Sequence, residues 1–117
     1  MQKHYEGGCQ CGAVAFEVDV DVEECVTCNC SRCQPLGVVL VFAPRSQFNL
    51  LKGESNLTEF RFNKGVIAHT FCRTCGIQSF SYGAMPDGTE IAAINVNTLR
   101  GVDPRSLKPT HVDGRSM

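Results

Sequence analysis

The sequence has no excess of charge of either sign: 11 Lys+Arg stand against 12 Asp+Glu, a formal net charge of −1 at pH 7. No basic block or stripe is present, so nucleic-acid binding has no electrostatic footing. Long apolar runs are missing as well. The longest, Val38–Ala43, falls far short of the ~20 residues a membrane helix needs. Met1–Gly8 lacks the apolar core of a signal peptide. No stretch of helix length repeats its apolar positions every 3.6 residues, and there is no Ser–His–Asp order, phosphate loop or helically spaced carboxylate pair. These absences leave a soluble, cytoplasmic chain with reduced thiols that binds neither membrane nor nucleic acid. In such a compartment many cysteines read as metal ligands or catalysts, not as a disulfide frame.

What is present is short strands. Ala13–Val18, Cys25–Cys30, Val38–Ala43, Ser46–Leu51, Leu57–Phe62, Val66–Phe71, Ile77–Tyr82 and Glu90–Val96 are β-branched, aromatic or alternating. Turn residues separate them at strand-like spacing, which predicts an all-β fold. Val38–Ala43 reads as a buried central strand ended by Pro44, and Asn63-Lys64-Gly65 as a hairpin turn. Asp19–Glu24 reads as a solvated acidic turn, and one short helical turn is expected near Asp103–Ser106. The ends, with His4 and His111, are expected to be mobile. Residues 1–117 form one domain whose core is thin: a chain of this size buries only about two-thirds of its unfolded surface. A structural metal would therefore add usefully to its stability.

Seven of the eight cysteines fall in close groups: Cys9 and Cys11, Cys28, Cys30 and Cys33, and Cys72 and Cys75. Neighbouring thiolates can reach one ion at ~2.3 Å per sulfur, whereas a disulfide between near neighbours is strained. Cys9-Gln10-Cys11-Gly12 and Cys72-Arg73-Thr74-Cys75-Gly76 are two glycine-followed knuckles. Together they supply four thiolates, enough for one closed tetrahedral structural zinc. Cys28, Cys30 and Cys33 make an odd three. Three ligands and one open position is the pattern of a catalytic zinc. The alternatives for the trio are a second structural zinc completed by Cys25 or a histidine, or no metal at all. Strand alternation turns Cys25 away from Cys28 and Cys30, so it reads as a small buried hydrophobe.

Three thiolates leave zinc with net negative charge, a weak Lewis acid that activates water poorly and takes a further thiolate readily. A fourth thiolate adds more negative charge, so nearby cations would help; Arg32, Arg45, Lys64 and Arg73 are the candidates, each otherwise a surface charge. His69 reads as a packed structural residue and not as a ligand or base.

Gly8-Cys-Gln-Cys-Gly12, Cys28-Asn-Cys-Ser-Arg-Cys33 and Phe71-Cys-Arg-Thr-Cys-Gly76 resemble the three signature segments of the glutathione-dependent formaldehyde-activating enzyme family, which includes centromere protein V-like domains. The resemblance runs from about Gly7 to Asp103 and takes in Asn95–Leu99. It implies a tent-like fold of packed antiparallel sheets. It also implies a structural zinc on Cys9, Cys11, Cys72 and Cys75 and a catalytic zinc on Cys28, Cys30 and Cys33. The activity it implies is that of a carbon–sulfur lyase joining glutathione to formaldehyde as S-hydroxymethylglutathione. A different class of function, a non-catalytic zinc-binding interaction module, fits the small size and the lack of an evident acid–base residue.

Overall fold

The computed structural model describes residues 1–61 and 67–116. Among the described residues ten strands are formed: β1 (Lys3–Gly8), β2 (Ala15–Val20), β3 (Val26–Cys28), β4 (Leu40–Pro44), β5 (Phe48–Lys52), β6 (Leu57–Phe60), β7 (Ala68–Cys72), β8 (Phe80–Ala84), β9 (Glu90–Asn95) and β10 (Thr110–Val112). One single-turn helix, α1 (Cys33–Leu36), interrupts them. A small sheet has the order β1-β2-β5, and a large one β10-β3-β4-β9-β8-β7-β6. Neighbouring strands are antiparallel except β10, which runs parallel to β3.

The two faces of the large sheet do different things, and its register shows why. One row runs Phe80–Ile94–Val41 across β8, β9 and β4; the alternate row runs His69–Ser81–Ala93–Phe42 across β7, β8, β9 and β4. Side chains alternate faces along a strand, so these rows point oppositely. The first row is buried with Ala43 and Ala92 against Phe16 and Val18 of the small sheet. Phe16, Phe48 and Phe80 form the centre, with ring centroids 4.8 to 5.8 Å apart. Phe16 has no exposed surface. Truncating Phe16→Ala is expected to cost about 3–5 kcal/mol. Thermal unfolding should then show a midpoint at least ~10 °C lower; a shift of a degree or two would mean that the sheets do not pack through this ring.

Several expectations need correction. The Val38–Ala43 run is not buried on both faces: β4 starts at Leu40, and Phe42 is 47% exposed while Val41 and Ala43 are buried. The acidic connection is not simply solvated, because Val20 and Val22 are buried within it and Asp21 caps a 3-10 turn at Val22–Glu24. The ends are paired and not loose. His4 lies in β1 with Nδ1 2.7 Å from Asp19 Oδ1, and His111 lies in β10 with Nδ1 2.9 Å from Thr27 Oγ1. The expected helical turn forms at Pro104–Ser106. The expected hairpin turn Asn63–Gly65, with Phe62, Lys64 and Val66, lies outside the described residues.

Candidate metal centres and the adjoining cavity

Cys9 and Cys11 follow the end of β1, while Cys72 closes β7 and Cys75 lies in the turn after it. The fold brings all four sulfurs within 4.8 Å of one another. Each knuckle is a reversal closed by backbone bonds: Cys9 N donates to Val14 O at 3.1 Å, and Gly76 N to Cys72 O at 2.8 Å. Gly12 and Gly76 adopt φ of 83° and 81°, which other residues resist. The sulfurs also collect donors. Val14 N lies 3.3 Å from Cys9 Sγ, and Asn56 Nδ2 3.3 Å and Cys75 N 3.5 Å from Cys72 Sγ. Hydrogen bonds to a thiolate favour it. The amide of Cys75, ahead of that of Thr74, lowers the Cys72 thiol to about 6. Cys11 moves the other way, to about 11: the amide of Ala13 lowers it, but burial and the neighbouring sulfurs win. This group can hold a metal ion.

Cys28, Cys30 and Cys33 form the second group, also with all sulfurs within 4.8 Å of one another. β3 ends at Cys28, so a turn, not strand alternation, delivers Cys30. Cys30 N points to Cys28 Sγ at 3.4 Å and Cys33 N to Cys30 Sγ at 3.3 Å, and Gln34 N bonds Cys30 O as α1 begins. Burial opposes ionisation of Cys30, yet the amides of Cys33 and Arg32 outweigh it and hold the thiol below its ordinary value. Burial, then the neighbouring Cys30, pushes Cys33 up to about 12. Cys25 is buried in the core between the sheets and belongs to neither group.

The trio opens onto a cavity of about 580 Å³ on the second face of the large sheet. Its walls include Leu40, Phe42, Ile67, Ile91, Ala93 and Val112. His69 lines it too, buried, and burial followed by the charge of Arg32 lowers its pKa. The imidazole is therefore neutral at pH 7.

The candidate cations are placed differently from one another. Arg32 donates from Nη2 and Nε to Gln78 Oε1 at 2.7 and 3.2 Å, with its guanidinium 5.0 Å from the Phe60 ring centroid. Arg45 stacks over Tyr82 at 3.7 Å and lies 3.9 Å from Glu90, and Arg73 is exposed in the four-sulfur knuckle. Lys64 is outside the described residues. Among the described residues the cation that lines the cavity is Arg115, with no motif to single it out in the sequence.

Arg115 is brought there by pairing that the sequence reading missed. β10 lies along β3, Asn29 Nδ2 donates to Asp113 Oδ1 at 2.9 Å, and Arg115 N donates to Asn29 Oδ1 at 3.0 Å. The middle residue of Cys28-Asn29-Cys30 thus clamps the following turn over the trio. Gly114 has to be small: a Cβ there would sit 2.5 Å from Cys28 Sγ. Gly114→Ala is expected to weaken any ion held by the trio about tenfold or more, the scale on which residues supporting metal ligands act, without touching the core. Competition with a chromophoric chelator measures this, with the four-sulfur group as internal control.

Among the described residues no helix is long and apolar enough to cross a membrane. Residues 4–113 match the family described as glutathione-dependent formaldehyde-activating enzyme. The fold is similar to that in a crystal structure of a Rhodobacter sphaeroides protein, with a TM-score of 0.81 and 34% identity over 91% of this chain and 97% of that one. With both cysteine groups assembled and nearly the whole chain matched, the protein belongs to the glutathione-dependent formaldehyde-activating enzyme family.

Proposed function

We propose that the chain is a zinc-dependent carbon–sulfur lyase acting on adducts of glutathione, or a similar thiol, with formaldehyde or another small carbonyl. The observation that carries this reading is the division of the cysteines: four sulfurs gather away from the cavity, and three face into it. Cys9, Cys11, Cys72 and Cys75 would hold a structural ion, and Cys28, Cys30 and Cys33 a catalytic, exchangeable one. Both donor sets are soft, and N–H groups already point at their sulfurs. When bound by the trio, zinc supplies a soft centre suited to a further thiolate.

The reaction needs little else of the chain. The substrate's sulfur adds to the carbonyl carbon, a C–S bond forms, and the thiol proton ends on the former carbonyl oxygen; the reverse breaks that bond. No protein nucleophile is consumed. Neutral His69 and the Ser81 hydroxyl line the cavity and can donate to or accept from that oxygen. Arg115 offsets the negative charge of a fourth sulfur. The reduced cysteines suit the cytoplasm, and residues 1–117 would act as one zinc-binding domain.

Metal content per chain, before and after dialysis against glutathione, tests the reading. Two zinc ions are expected, one of them lost or made labile by the thiol. A single inert ion would instead mark a non-catalytic zinc module.

A further inference from the structure

The cavity is much larger than formaldehyde needs. A one-carbon group is close in size to one water molecule, whose share of the liquid is about 30 Å³, against a cavity of about 580 Å³. Its lining is also the wrong chemistry for a ligand that is charged throughout. Arg115 is the only charged side chain among its described lining residues. Glutathione carries two carboxylates and an ammonium group, and burying unpaired charge against apolar walls is costly. The walls come instead from an apolar stripe across β4 and β9, Leu40, Phe42, Ile91 and Ala93, with Ile67 and Val112 beside it. Phe42 and Ile67 remain 47% and 46% exposed. Large apolar surface left open in a concave site beside reactive groups is the usual mark of a ligand's apolar part.

Resting on the lyase reading above, we infer that the adduct handled here carries an apolar substituent on its carbonyl carbon, a linear aliphatic or aromatic aldehyde and not formaldehyde. The substituent lies along Phe42, Ile91 and Ala93 while the sulfur meets the trio; the charged remainder of the thiol extends past Arg115 toward solvent. The chemistry balances as for any hemithioacetal: the C–S bond breaks, the carbonyl re-forms, and the hydroxyl proton passes to the released thiol. No oxidant or reductant is involved.

The test is calorimetric binding of two stable probe series to the metal-loaded chain: S-alkylglutathiones and simple alkanethiols, each from methyl to hexyl. Each buried methylene is worth about three- to fourfold in affinity. The hexyl probe is expected to bind at least ~30-fold tighter than the methyl one. Ala93→Leu, which fills the cavity, and Ile91→Gln, which makes its wall polar, should each flatten that dependence; two variants guard against one failing to fold.

Equal affinity for methyl and hexyl in both series overturns the inference and leaves the lyase reading standing. A length dependence in the alkanethiols, with no binding of any S-alkylglutathione, supports the apolar site and removes glutathione as the thiol. A length dependence that both variants leave intact places the alkyl chain elsewhere and overturns it. So does a dimer in solution that Phe42→Asp dissociates, since a second copy would then cover this face.

Discussion

Cys72→Ser is expected to yield a chain that does not fold cooperatively at 37 °C. Cys72 ends β7, is 1% exposed, and its sulfur lies 3.6 Å from that of Cys11. That contact joins segments 61 residues apart. An ion shared among the four sulfurs would therefore add a direct tie between the small sheet and the large one at the margin of their common core. Structural zinc sites contribute apparent binding energies of about 10–16 kcal/mol, while whole domains are stable by only about 5–15 kcal/mol. Losing most of that contribution would therefore use up the margin of a domain this small. Serine also leaves Asn56 Nδ2 and the Cys75 amide facing a weaker acceptor in a buried position. Circular dichroism on heating should show no cooperative transition for the variant. Strong chelators should reproduce that result in the wild-type chain. A variant that melts within a few degrees of wild type, with its metal content unchanged, would show that the four sulfurs do not stabilise the fold.

How much of this could be read from the chain itself depends on the range over which each signal acts. Cysteine spacing is local and chemical, so both knuckles and the trio were legible. The positive φ after each knuckle was legible from Gly12 and Gly76 for the same reason. Strands with an alternating or β-branched pattern, such as Glu90–Asn95, were found nearly to their ends. β1 was missed because Lys3–Gly8 carries two glycines and few apolar residues, and is held by pairing with β2 instead of by its own composition. β10 was missed for a similar reason. Thr110–Val112 is too short to show a period, and its partner β3 is more than 80 residues away. With it went the clamp at Asn29, the closeness of Gly114 to Cys28, and the entry of Arg115 into the cavity. Arg32, one of four cations the sequence offered, is held by Gln78, itself a lining residue of the cavity, and its charge acts on His69 there, which sequence position alone did not show. The Val38–Ala43 run concealed the cavity, since an unbroken apolar string says nothing about whether its second face meets protein or open space.

Cys30→Ser should do the opposite of Cys72→Ser: abolish turnover and spare the fold. The trio sits outside the core between the sheets, and all three of its sulfurs belong to half-buried residues lining the cavity. Cys30 is the member whose ionisation the neighbouring amides of Cys33 and Arg32 favour. A hydroxyl in its place is a poor ligand for a soft ion and keeps its proton at neutral pH. Metal-assisted polarisation and positioning are worth several kcal/mol, so kcat/KM for thiol–aldehyde condensation is expected to fall about a thousandfold or more. The unfolding midpoint should move by no more than about 5 °C, since no core contact is lost. Zinc per chain should drop from two to one, the remaining ion being resistant to glutathione. Each readout isolates a separate claim. Lost activity with two ions retained would make Cys30 a positioning residue and not a ligand. Unchanged activity with one ion lost would remove the trio from catalysis, and a large fall in stability would assign it a structural role like that of the four-sulfur group.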